Sequence, residues 1–205
     1  MQVNKCTQSE KQALVAFGAN LPLGSVKPEA SVASAIETLA GQAGADLACS
    51  RLWQTPAYPE GSGPPFVNAA VAFAWQGTAH ALLDLLHDVE AAFGRRRTAR
   101  WEARKMDLDL LALGDLVLPD LNTFSRWFDL TPQKAATTTP EELILPHPRM
   151  SERAFVLAPL AEVAPDWRHP VLGLRVSELL DQLPPGALDG LTPLDPQVAV
   201  KLKTS

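Results

Sequence analysis

RRRTARWEARKMDLDLL, residues 95–111, is the stretch on which the reading of this chain turns. Its last six residues alternate as a strand does. Residues at i and i+2 of a strand share a face, about 6.6–6.8 Å apart along the backbone. Asp107 and Asp109 therefore project together, while Met106, Leu108 and Leu110 turn the other way, into a core. The aspartate face is expected to continue through Leu111 and Leu113, which would shelter the carboxylates from a fully wet surface. Before the strand stand six bases, Arg95, Arg96, Arg97, Arg100, Arg104 and Lys105, with one acid, Glu102. The chain carries 18 Lys+Arg and 23 Asp+Glu, a net charge of −5. A third of the positive charge of an acidic chain thus sits in one loop beside two carboxylates. Arginine forks suit phosphate oxygens, and carboxylates suit the hard cation that travels with a polyphosphate. Two carboxylates about 6 Å apart at an effective dielectric near 20 repel by roughly 3 kcal/mol, which a divalent cation relieves. A lone D-x-D is better read as a solvated strand face; the arginine cluster weighs against that reading here.

Upstream, residues 78–93 read as a helix. Thr78 is its N-cap, Leu82, Leu86, Val89 and Phe93 are its stripe, and Gly94 is its stop. Residues 66–75, FVNAAVAFAW, alternate as a strand. Val67, Ala69, Val71, Phe73 and Trp75 take one face; Phe66, Asn68, Ala70 and Ala72 take the other. Residues 55–65 hold four prolines and two glycines and read as a long surface loop. Residues 46–54 form a less regular strand. Residues 28–43 form a helix, with Pro28 in the tolerant first turn and Val32, Ile36, Leu39 and Ala43 recurring. Residues 12–17 form a buried strand ending at Gly18, which is taken as loop backbone. The order is β-α-β-β-α-β. It predicts an α+β, ferredoxin-like core: an antiparallel sheet with helices packed on one face.

Downstream, residues 118–142 read as an irregular insertion with one helical turn. Residues 143–173 are expected to fold over the sheet edge, and 176–183 to form a short helix. The Pro/Gly-punctuated tail, 184–205, is a C-terminal extension of uncertain order. Residues 1–10 are expected to be disordered, leaving 11–183 as a single domain. No apolar run approaches 18 residues and no signal-peptide pattern opens the chain. Two cysteines, Cys6 and Cys49, are too few for a disulfide framework or a Cys-based zinc site. A cytoplasmic monomer is expected, with no membrane partner; the acidic balance argues against a nucleic-acid partner.

Read as blocks, the chain resembles the 6-hydroxymethyl-7,8-dihydropterin pyrophosphokinases of folate biosynthesis. The family signature, R-x-x-D-[LIV]-D-[LIVM]-[LIVM] after a Trp-containing basic loop, matches residues 104–111. FGANL at 17–21, Thr55-Pro56, FVNA at 66–69, Val89-Glu90, LPHPR at 145–149 and ERAFVL at 152–157 match in the same order. The resemblance implies pyrophosphoryl transfer from ATP to the pterin hydroxymethyl group, with release of AMP and help from two Mg²⁺ ions. It implies that Asp107 and Asp109 bind both metals and that Arg95 and Arg104 contact ATP phosphates. Arg97 and Trp101 would belong to a loop closing over the nucleotide, which His147 and Arg153 also serve. Phe66 and Phe155 would sandwich the pterin; Asn68, Thr55, Pro56 and Tyr58 would meet its edge. Glu90 is read as an ion-pair partner for one of the arginines, in a supporting role. The chain departs from the family pattern at Glu102 and Ala103, where glycine and then a small residue are usual, and at GANLP, where GSNLG is usual. The alternatives are another Mg²⁺-dependent nucleotidyl transferase, and a pterin- or nucleotide-binding homologue with impaired turnover.

Overall fold

Lys11–Ala19 (β1) and Phe66–Trp75 (β4) pair antiparallel, from Lys11 opposite Trp75 to Ala19 opposite Val67. In the computed structural model, which describes residues 9–57, 63–94, 106–131, 134 and 137–194, these two strands are the centre of the sheet. Asp107–Leu113 (β5) lies antiparallel on the outer side of β1. Ala48–Cys49 (β2) and Trp53–Thr55 (β3) lie antiparallel on the other side of β4. The strand predicted over 46–54 is thus two short pieces. Taken as one interrupted strand, they complete the order of a split βαβ fold, with every neighbour antiparallel. Thr192–Pro193 (β6) extends the sheet beyond β3.

Pro28–Ala43 (α1) and Ala79–Ala92 (α2) form where the apolar spacing predicts them. Gly44, at φ 60°, ends α1 by donating its N–H to the Ala40 carbonyl. Thr78 caps α2, its hydroxyl accepting from the Ala81 N–H at 3.1 Å. Val32, Ile36 and Leu39 of α1 and Leu82, Leu86 and Val89 of α2 pack on Val15, Phe17, Val71, Phe73, Leu108 and Leu110. Each such side chain, fully buried, contributes about 1.5–3 kcal/mol of transfer free energy.

Helices cover the second face too, which the one-sided expectation missed. Met150–Glu152 forms a 3₁₀ turn, followed by Ala154–Val163 (α4) and Val176–Asp181 (α5); an earlier helix, Leu121–Phe128 (α3), lies within the predicted insertion. Val156, Leu157 and Leu160 of α4 and Val176 and Leu179 of α5 bury Leu14, Ala16, Ala70 and Ala72. The segment 143–173 thus crosses the β5 edge as expected, from Leu145 in the α1/α2 core past His147 on Leu111, and then continues across the second face as α4. α3 runs two turns where one was expected. Asp120 caps it by accepting from the Thr123 N–H at 2.9 Å, and Phe124 is buried against His169. No helix among the described residues is long and apolar enough to cross a membrane.

Candidate active site

Residues directly opposite one another on antiparallel strands share a face. The register therefore draws a row across the sheet: Asp107 of β5, Gly18 of β1, Asn68 of β4 and Trp53 of β3. A second row behind it reads Asp109, Ala16 and Ala70. Ala16 and Ala70 lie under α4, so both aspartates belong to the α4 face. Leu108 and Leu110 face the opposite core, as the alternation predicts. Asp107 and Asp109 are half-buried, reachable by solvent yet flanked by apolar neighbours.

The aspartate face does not continue to Leu113. The register between β1 and β5 shifts between Leu14 and Val15, with Val15 opposite Leu110 and Leu14 opposite Ala112. Leu111 is the extra residue of a β-bulge, so Leu111 and Ala112 lie in the α4-side core and Leu113 turns to the α1/α2 side. The bulge also frees a carbonyl: Leu111 accepts the His147 backbone N–H at 2.7 Å. That bond holds His147 beside the aspartate strand. The His147 ring Nδ1 accepts from the Arg149 N–H at 3.1 Å, which leaves the proton of the neutral ring on Nε2. Burial first, and then the Arg153 charge, pushes His147 down to about 3, so the ring is a neutral donor at ordinary pH.

Arg153 is the N-cap of α4, and its guanidinium stands 3.5 Å from Asp109 and 5.8 Å from the Phe155 ring centre. Burial lowers its pKa while Asp109 raises it; as a guanidinium it stays charged. Phe155, the second residue of α4, is 41% exposed despite its size. Phe66 opens β4, half-buried on the Asn68 face. Asn68, buried among apolar residues, donates its amide to the Thr55 hydroxyl at 2.7 Å. Pro56 follows Thr55 at the exposed end of β3. Between Asp107 and Asn68 lie two strand spacings, about 9–10 Å, and only Gly18 stands between. A Cβ there would sit 3.1 Å from Asn68 Oδ1. Gly18 belongs to a strand and is not among the glycines of positive φ, so its role is room rather than loop flexibility.

The structure thus brings Asp107, Asp109, Arg153, Phe155, Phe66, Asn68 and Thr55 to one face of the sheet, with His147 at its margin. Arg95, Arg97, Trp101, Arg104 and Tyr58 lie outside the described residues, as do Glu102 and Ala103. Glu90, read as an arginine partner, has a further role: its buried carboxylate accepts the Leu108 N–H at 2.8 Å, between the two aspartates. Gly18 was missed as a site residue; the FGANL block held the signal, but only strand register shows what it faces. Among the described residues no three His, Cys, Asp or Glu side chains cluster to hold a metal ion. Two carboxylates fit Mg²⁺ all the same, since that ion keeps waters and substrate phosphates as ligands instead of filling an all-protein cage.

The family model described as 7,8-dihydro-6-hydroxymethylpterin-pyrophosphokinase matches residues 14–165. A 2-amino-4-hydroxy-6-hydroxymethyldihydropteridine pyrophosphokinase of Methylorubrum extorquens is 37% identical over 161 residues, 78% of this chain and 88% of that one. The protein of the same name from Pseudomonas aeruginosa is 33% identical over 175 residues, 85% of this chain and 93% of that one. The crystal structure of wild-type Plasmodium falciparum HPPK-DHPS superposes with a TM-score of 0.57 at 14% identity. The match covers 85% of this chain and 45% of that longer one, a likeness of fold alone.

Proposed function

The chain belongs to the 7,8-dihydro-6-hydroxymethylpterin-pyrophosphokinase family, and from that premise we propose that it transfers pyrophosphate from ATP to 6-hydroxymethyl-7,8-dihydropterin. The hydroxymethyl oxygen forms a bond to the β-phosphorus. The bond from that phosphorus to the α,β-bridging oxygen breaks, AMP leaves with the electron pair, and the hydroxyl proton passes to solvent. The observation that carries the reading is the row Asp107–Gly18–Asn68. It sets a carboxylate and an amide on either side of a gap lacking any side chain.

The division of labour follows from the residue chemistry. Asp107 and Asp109 would hold two Mg²⁺ ions. When bound, Mg²⁺ offsets polyphosphate charge and polarises phosphoryl oxygens. Thr55 occupies one Asn68 amide hydrogen. The second hydrogen and Oδ1 are left for the amide-like edge of the pterin. Phe66 and Phe155 supply the two aromatic faces for its ring, and Pro56 and Tyr58 close its edge. Arg95, Arg104 and Arg153 meet phosphate oxygens, His147 donates to the nucleotide through Nε2, and Arg97 and Trp101 close over it. Little covalent chemistry is asked of the protein; it positions two substrates and complements charge. The reading also takes the chain as a cytoplasmic monomer.

The test is product identity. The protein, the pterin, ATP and Mg²⁺ are expected to yield AMP and a pterin diphosphate in equal amounts. ADP as the nucleotide product would overturn the proposal, and free pyrophosphate would point to a nucleotidyl transferase.

A further inference from the structure

We infer that the C-terminal strap, residues 184–194, belongs to the wall of the pterin site, with Gly190 as a positioning residue that holds Pro56. The inference rests on the pyrophosphokinase reading above. β3 is three residues long and would otherwise be the edge of the sheet. β6 pairs with it, Thr192 opposite Gln54 and Pro193 opposite Trp53, and the Leu194 N–H reaches the Leu52 carbonyl at 2.8 Å. The strap arrives through a series of turns, closed by Ala187 N–H to Pro184, Asp189 N–H to Gly186 and Leu191 N–H to Leu188.

Those turns set Gly190 against Pro56. A Cβ on Gly190 would lie 2.7 Å from Pro56 Cγ and 3.4 Å from Cδ. A pyrrolidine ring cannot rotate out of the way as a flexible side chain does. Gly190 is also held at φ 76°, where an L side chain is strained. Two separate constraints thus keep this position side-chain-free, and both act where the strap meets the site. The mechanical path is short. Gly190 abuts Pro56, Pro56 follows Thr55, and the Thr55 hydroxyl receives the Asn68 amide. Displacing Pro56 moves the acceptor that orients Asn68. The nucleotide side of the site, at Asp109, Arg153 and His147, is built on β5 and the start of α4 and does not use this path.

The test separates the two substrates. In full-length Gly190→Ala the KM for the pterin is expected to rise about fivefold or more, while the KM for ATP stays within about twofold. Ile36→Val is the control. Ile36 is buried in the α1/α2 core, outside the strap and on the other side of the sheet from the aspartates, so its loss of one methylene is expected to lower the Tm and leave the pterin KM in place. Hydrogen exchange on the unmodified protein gives a readout that needs no variant to fold. Coupling between sites is reciprocal, so pterin binding is expected to slow exchange of the Leu191 and Leu194 amides. A non-hydrolysable ATP analogue alone is expected to leave them unchanged. An unshifted pterin KM in Gly190→Ala, equal shifts in both KM values, or strap amides indifferent to pterin would overturn the inference. Absence of AMP from the wild-type protein would instead sink the pyrophosphokinase reading, and pterin-dependent exchange would still decide the strap's role.

Discussion

Asp107 and Asp109 have their meaning because of what stands next to them in space. One faces the Gly18 gap and the other faces Arg153. Carboxylates held close on one face repel; the Arg153 guanidinium beside Asp109 offsets part of that repulsion, and a divalent cation would offset more. Asp107→Asn and Asp109→Asn are therefore expected to lower kcat by about a hundredfold or more, in keeping with loss of charge stabilisation at the reacting centre. The thermal midpoint of Asp109→Asn should fall modestly, because the partly buried Arg153 guanidinium loses its counterion. Assay of AMP formation beside a melting curve checks both; a large fall in Tm would mark the aspartates as structural. Gly18 makes a subtler prediction. The Cβ of Gly18→Ala would press on Asn68 Oδ1 at 3.1 Å, closer than most real contacts, so Asn68 must give by a few tenths of an ångström. The pterin KM is expected to rise and kcat to change less, whereas Gly18→Val should abolish pterin binding by filling the gap. Calorimetric titration with pterin reads the difference.

The strand that carries the aspartates is positioned as an element. β5 pairs with β1 along one edge; along the other, Glu90 takes the Leu108 N–H and His147 gives its N–H to Leu111. Removing the Glu90 acceptor leaves a buried amide unpaired, at about 1–3 kcal/mol. Glu90→Ala is expected to lower the Tm and kcat together, because the loosened residue lies between the aspartates. A variant with lowered Tm and unchanged kcat would reduce Glu90 to a fold residue. Elements with regular periods are legible from sequence. β1, α1, β4, α2 and β5 stand within two residues of their predicted bounds, because one apolar face per element is enough to mark each. α4 is not legible in that way. Its sequence, AFVLAPLAEV, is apolar nearly all round and holds Pro159 inside, so no stripe appears and the proline speaks against a helix. Burial against β4 supplies what the local pattern lacks. The same limit applies to the site. Asp107, Asp109 and Asn68 stand out as polar residues in apolar strands. The Leu111 bulge, the Gly18 gap and the Gly190–Pro56 contact depend on pairing between distant segments and carry no local mark.

At the scale of the whole molecule, the sheet separates two cores with different tasks. The α1/α2 core is a continuous apolar layer. The α4/α5 core covers only the far part of its face and leaves the aspartate end open. Its margin is closed by a buried histidine, His169, which packs on Phe124 and Trp167 and accepts the Val171 and Leu172 N–H groups on Nδ1. Burial pushes His169 down to about 4, against an ordinary value of 6.5. The sign of the pH effect follows. Above pH 6.5 the ring is neutral in both the folded and unfolded chain and folding is not penalised. Between 6.5 and about 4 the unfolded chain binds a proton that the folded chain refuses, so stability falls as pH falls through that window. Below about 4 both forms are protonated and this contribution levels off. Urea midpoints measured at pH 7.5 and pH 5 should therefore differ in the wild-type protein, with the lower midpoint at pH 5. His169→Asn keeps a side-chain acceptor near the Val171 and Leu172 amides but cannot titrate. Its midpoint at pH 7.5 is expected to drop modestly, through lost ring packing, and its difference between the two pH values to shrink. An equal pH dependence in variant and wild type would mean that the acid sensitivity of this fold resides elsewhere.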